Sequence, residues 1–82
     1  METTRREIII APKAFAKMEA ARPSEAERQA LVQVLRELGT DLSRAYKIAF
    51  VNPPMYRIDV GRFRIHFRCD DKQVRVGFIG VY

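Results

Sequence analysis

With 82 residues, 15 lysines and arginines against 10 acids and a net charge of +5, the chain has room for one small domain, spanning 1–82, with one modest core. A hydrophobic fraction of 48% is that of a folded protein, and the single cysteine, Cys69, excludes an internal disulfide framework. The longest apolar stretch near the N-terminus, Ile8-Ile9-Ile10-Ala11, is too short for a secretion signal or a membrane span, so a soluble cytoplasmic protein with no membrane partner is expected.

Residues 1–6 are polar and read as a loose lead-in, and Glu7–Ala11 has the β-branched character of a short strand. Pro12 suits the first turn of a helix, where its missing N–H goes unnoticed. Phe15, Met18 and Glu19 continue at helical spacing to Ala21, and Arg22-Pro23 ends the segment. Ser24 followed by Glu27 matches a capping box at the start of a second helix. Ala30, Leu31, Val34, Leu35 and Leu38 then recur at intervals of three and four, making one buried stripe, and Gly39 is expected to supply a left-handed stop.

Asp41–Arg44 reads as loop, and Tyr46–Val51 as a strand or an extended connection, before the firm interruption at Asn52-Pro53-Pro54. Three strands follow, Met55–Val60, Phe63–Arg68 and Gln73–Val81, joined at Gly61-Arg62 and at Asp70-Asp71-Lys72. The order β-α-α-β-β-β indicates an α+β domain in which an antiparallel sheet packs on a helical hairpin and leaves its other face open.

Successive strand side chains point to opposite faces, so Tyr56, Ile58, Val60, Phe63, Ile65 and Phe67 are expected to meet the core. The opposite face then carries Arg57, Asp59, Arg62, Arg64, His66 and Arg68. From Met55 to Tyr82 six basic residues, including Lys72 and Arg75, stand against the three acids Asp59, Asp70 and Asp71, so the positive charge is local. Clustered guanidinium groups suit an anionic partner such as nucleic acid, because each fork donates two parallel hydrogen bonds to a phosphate and stays charged. The alternative is a solvated outer face that keeps a basic protein soluble.

His66 is the one histidine and the one side chain suited to exchange protons near neutrality; read blandly, it is an exposed strand residue without a role. On a common strand face it would stand about 7 Å from Arg64, near enough to share one phosphodiester. Asp59 among the arginines reads as an internal ion pair, and Asp70 and Asp71 as turn residues. No second acidic or histidine cluster offers a metal, so neither metal nor cofactor is expected. Tyr46, Phe50 and Tyr56 are either base-stacking platforms or core. Tyr82 shares parity with Val74, Val76 and Phe78, which by strict alternation face the core.

The helical hairpin leading into Tyr56-Arg57-Ile58-Asp59-Val60-Gly61-Arg62-Phe63-Arg64-Ile65, the acidic turn at Asp70-Asp71 and the final strand resemble the RelE/ParE superfamily of toxins from bacterial toxin–antitoxin operons. The resemblance spans nearly the whole chain, and its specific part is Tyr56–Asp71. It implies an RNase-like toxin wrapped by a cognate antitoxin, with DNA contacted by the complex through the antitoxin. RelE-type members cut mRNA on the ribosome without metal, whereas ParE-type members poison DNA gyrase. The tyrosine at 82, eleven residues past Asp71, looks most like the YoeB-type branch.

By that resemblance Arg64 matches the arginine that contacts the scissile phosphate, Tyr82 the terminal tyrosine of the active site, and Arg57 a basic position of RelE-type toxins. The branch's histidine before the last tyrosine is Val81 here, and no glutamate stands in Asp41–Pro54 as a general base. The expectation is therefore a ribosome-dependent mRNA endoribonuclease toxin with Arg64, His66 and Tyr82 as catalytic residues and Arg57, Arg62, Arg68 and Arg75 holding RNA. The alternative is a ParE-like gyrase inhibitor or a non-cleaving homologue that binds antitoxin.

Overall fold

A computed structural model describes residues 5–49 and 54–81. Its elements are β1 (Glu7–Ile10), α1 (Pro12–Ala20), α2 (Glu25–Leu38), β2 (Tyr46–Ala49), β3 (Met55–Val60), β4 (Phe63–Cys69) and β5 (Gln73–Val81). The strands form one sheet in the order β1-β5-β4-β3-β2. The result is a small α+β domain with a five-stranded mixed sheet and two helices. Among the described residues no helix is long and apolar enough to cross a membrane.

The sheet departs from the expected antiparallel one in a single pairing: β1 lies parallel to β5, with Ile8 opposite Val74 and Ile10 opposite Val76. A parallel neighbour requires a crossover, and the helical hairpin forms part of the long connection that precedes β5. Nothing local in Ile8-Ile9-Ile10 encodes that choice of partner. Tyr46–Ala49 resolves as a strand, the antiparallel edge neighbour of β3; Phe50, Val51, Asn52 and Pro53 lie outside the described residues.

Both helices begin as their N-terminal residues predict. Pro12 occupies the first turn of α1, and at α2 the Ser24 hydroxyl accepts from the Glu27 N–H at 3.1 Å while the Glu27 carboxylate accepts from the Ser24 N–H at 2.8 Å. Leu31, Val34, Leu35 and Leu38 are buried, but Ala30 is exposed. In α1 the buried residues are Ala14 and Met18, and Phe15 is exposed. The Arg28 guanidinium clamps Glu19 with bonds of 2.6 and 3.0 Å, tying the two helices together and holding the Glu19 carboxyl below its ordinary range.

Gly39 is not a left-handed stop: its φ is −63°, ordinary helical backbone. Its value lies in space, because an added Cβ would come within 3.1 Å of the Arg36 carbonyl and 3.3 Å of the Arg6 carbonyl. The Arg6 N–H donates to the Gly39 carbonyl at 2.8 Å, so the chain leading into β1 crosses the end of α2 at close quarters. The left-handed residue is instead Arg22, at φ 50°, where α1 turns back into buried Pro23.

The core lies between the helices and one face of the sheet. Phe63, Ile65, Phe67, Val74 and Ile79 are fully buried, and Ile58, Cys69 and Val76 join them. Tyr56 stacks on Phe67 with ring centroids 5.4 Å apart and planes at 13°, so it packs with the core rather than offering a platform for bases. Cys69 is buried, and loss of solvation raises its thiol pKa, which makes it an unreactive core residue.

Alternation fails within β5. His66 pairs with Phe78 but Phe67 with Val76, so Gly77 is an extra residue, a β-bulge. Before it Val74 and Val76 face the core; after it Ile79 does, and Phe78 is turned to the opposite face, 43% exposed. The parity that grouped Phe78 and Tyr82 with the core valines is thereby broken within β5, and Tyr82 lies outside the described residues.

Candidate nucleic-acid interface

Strand pairing arranges the uncovered face of the sheet into three rows. The first joins Asp59, Arg64 and Gly80; the second joins Tyr46, Arg57, His66 and Phe78; the third joins Met55, Arg68, Arg75 and Ile9. Residues directly opposite in such pairs stand close enough for their side chains to interact. Arg57, Arg64, His66, Arg68 and Arg75, widely spaced in sequence, thus share one face.

In the first two rows the arginines converge. Asp59 Oδ1 accepts from Arg64 Nε at 3.2 Å and stands 3.7 Å from Arg57 Nε. One carboxylate oxygen therefore orients two guanidinium groups, the internal ion pair expected of Asp59. The Arg57 Nε is shielded from solvent and, among the described residues, has no hydrogen-bond acceptor in range. A shielded N–H without an acceptor is costly, and the nearest carboxylate oxygen, Asp59 Oδ1, stands at 3.7 Å.

The second row alternates rings and cations. The Arg57 guanidinium lies 5.7 Å from the Tyr46 ring centroid, the His66 and Phe78 rings are 5.3 Å apart and tilted by 50°, and the Lys17 ammonium stands 5.4 Å from the Phe78 centroid. Tyr46 is 62% exposed and so available on this face as a base platform; Phe50 lies outside the described residues. His66 is half-buried. Lost solvation pulls its pKa below 6.5, the charges of Arg64 and Arg57 pull it further, and Asp59 opposes them. The imidazole is consequently neutral near pH 7 and able to accept a proton.

The third row faces a cavity of about 330 Å³, lined by Met55, His66, Phe67, Arg68, Arg75, Gly77 and Phe78. Arg75 Nε donates to Gln73 Oε1 at 2.8 Å. Asp70 is a turn residue as expected: its Oδ1 accepts from the N–H groups of Lys72 and Gln73, each at 2.8 Å, and those bonds lower its pKa.

Arg62 does not belong to this interface. In the two-residue loop between β3 and β4, Gly61 takes φ 57° as the first loop residue, the pattern of a type II′ turn, and strand parity does not extend through it. Arg62 reaches the helices instead, donating from Nε to Glu27 Oε2 at 2.6 Å and from a terminal nitrogen to Glu27 Oε1 at 3.2 Å and the Ala21 carbonyl at 2.9 Å. These bonds, with the Ser24 N–H, hold the Glu27 carboxyl down to about 2. Arg62 is a structural clamp rather than a phosphate ligand.

No family model matches this chain, and no curated protein matches it either. Sequence reasoning identified Arg57, Arg64, His66, Arg68 and Arg75, which the sheet brings together. It missed Phe78 and Lys17. The signal for Phe78 was Gly77, since a glycine inside a strand marks a bulge; Lys17 had none, because its position depends on where α1 packs against β5.

Proposed function

We propose that this protein is a toxin of the RelE/ParE kind that binds mRNA on the ribosome through the uncovered face of its sheet and cuts it. The observation that carries the reading is the convergence of Arg57 and Arg64 on one oxygen of Asp59, at 3.7 and 3.2 Å. Two guanidinium groups that already share one oxyanion are set to share a phosphodiester. The helical hairpin ahead of the β3–β4–β5 meander also fits the resemblance, and the parallel β1 and edge β2 complete the sheet.

In this reading neutral His66 takes the proton of the ribose 2′-hydroxyl, whose oxygen attacks phosphorus. Arg57 and Arg64 stabilise the negative charge that grows on the phosphorane. The bond to the 5′-oxygen breaks, leaving a 2′,3′-cyclic phosphate, and Tyr82 supplies the proton to the departing oxygen. A cognate antitoxin would hold the chain inactive by covering the cationic face.

The second reading is a gyrase poison or a non-cleaving homologue, and two observations favour it. Asp59, the carboxylate beside Arg64, is already engaged by two arginines, and Arg62 is withdrawn to Glu27. Induced expression followed by mapping of mRNA 5′ ends tests between them. New ends at codon positions on translated messages are expected; growth arrest with DNA-damage signalling and no new ends would overturn cleavage in favour of gyrase.

A further inference from the structure

Arg68 and Arg75 are direct cross-strand partners on the uncovered face, an arrangement that is destabilising for like charges unless something anionic lies between them. Among the described residues neither has a carboxylate oxygen within ion-pair distance. Asp70 is near enough to feel the charge of Arg75, but its Oδ1 is held by the N–H groups of its own turn, and Glu7 accepts from the Gln73 amide at 3.4 Å. By contrast Arg57 and Arg64 share Asp59, and Arg62 and Arg28 have their own glutamates. The third row is where the positive charge of this face is least compensated.

That row borders the cavity, whose floor and wall are made by the bulge. Gly77 contributes no side chain, and Phe78, thrown to this face by the extra residue, stands beside His66 with ring centroids 5.3 Å apart. A volume of about 330 Å³ lies within the range of small-ligand sites. Two aromatic rings on one side and two guanidinium groups on the other match a ligand with a flat face and an anionic tail.

We propose that the cavity formed by Met55, His66, Arg68, Arg75, Gly77 and Phe78 holds one nucleotide, free or as a unit of an RNA strand, with its base against Phe78 and His66 and its phosphate between Arg68 and Arg75. This rests on the reading of the face as an RNA-binding surface and adds to it a subsite distinct from the Arg57–Asp59–Arg64 cluster. Arg64 and Arg68 lie four residues apart on β4, roughly 13 Å, so a strand running along β4 would present a nucleotide further along it to the cavity while Arg64 meets the reacting phosphate.

The test is a titration of the full chain with AMP, adenosine and inorganic phosphate, followed by amide shifts in NMR. AMP should perturb His66, Arg68, Gly77 and Phe78 and bind roughly tenfold tighter than adenosine or phosphate, and Arg75→Ala should weaken it by roughly tenfold. Gly77→Leu fills the cavity, and because an added Cβ there meets nothing within 4 Å, the variant should keep the native spectrum and lose AMP. Phe78→Ala should also lose AMP, by a route that adds no bulk.

AMP binding no tighter than phosphate, or unchanged in Gly77→Leu, would overturn the subsite. A five-nucleotide oligoadenylate distinguishes the sources: shifts extending to Arg57 and Arg64 identify a strand unit, and tighter binding of AMP with those residues silent identifies a free nucleotide. If AMP ignores the cavity while the chain still arrests growth through Arg64, the subsite falls and the toxin reading stands. If AMP fills the cavity while the chain neither arrests growth nor cuts RNA, the toxin reading falls and the subsite stands.

Discussion

The two faces of this sheet use the same residue type for opposite ends. On the helix side Arg62 grips Glu27 through two nitrogens and caps the Ala21 carbonyl, and between the helices Arg28 does the same with Glu19. Each guanidinium there has its own carboxylate, so the charge is consumed in joining elements. On the uncovered side Arg57 and Arg64 share one carboxylate and Arg68 and Arg75 have none within ion-pair range among the described residues. The difference teaches that pairing, and not the number of arginines, decides which of them are available to a ligand.

The contrast is sharpest in stability. Phe67→Ala removes a fully buried ring on the helix side and should cost about 3–5 kcal/mol in chemical denaturation, enough to leave a domain of this size marginal. A loss below about 1 kcal/mol would mean that the core is elsewhere. Arg64→Ala should leave the denaturation midpoint nearly unchanged, because Asp59 keeps Arg57, while mRNA cleavage and growth arrest fall by about a hundredfold. Retained growth arrest would remove the phosphate role assigned to it.

Phe78→Ala offers the counterpart to Phe67→Ala on the uncovered side. With the ring 43% exposed, its removal should cost less than about 1.5 kcal/mol, measured by the same denaturation. A cost equal to that of Phe67→Ala would show that Phe78 is structural and that the bulge serves packing alone.

The smallest effects are those of pH. The folded pKa of His66 lies below 6.5, so the unfolded chain binds the proton more readily, and stability should fall as pH drops through 6.5 and level off above it. Glu27 is depressed to about 2, so its contribution is present above about 4.5 and is lost as pH falls from there toward 2. Thermal melts from pH 8 to pH 3 should show both declines. His66→Gln should remove the upper one and Glu27→Gln should reduce the lower, which Glu19, Asp41 and Asp70 share; an upper decline surviving His66→Gln would place the titrating group elsewhere.

Local chemistry made much of this molecule legible. Ser24 and Glu27 announce a helix start because their bonds close within one turn, and the alternation from Tyr56 to Phe67 assigns each side chain a face because the strand period is two. The acidic turn at Asp70 and the glycine at the β3–β4 loop are equally local. From these alone came the two helices, the three-stranded meander, the helix-side core and, on one open face, Arg57, Arg64, Arg68 and His66.

What the chain's own pattern left undecided depends on partners far away in sequence. Ile8-Ile9-Ile10 reads as a strand, but only packing selects β5 as its parallel neighbour. Gly39 reads as a left-handed stop, whereas it has ordinary helical backbone and its place is crowded by the Arg36 carbonyl and, from far off in sequence, the Arg6 carbonyl. Arg62 reads with Arg64, yet Glu27, 35 positions earlier, takes it. The bulge at Gly77 reverses the facing of everything after it in β5, and so builds the cavity. Hydrogen-bond periodicity is written residue by residue, but which side chain finds which partner is settled only when the helices close over the sheet, because ion pairs and cavities are properties of distances in space and not of spacing along the chain.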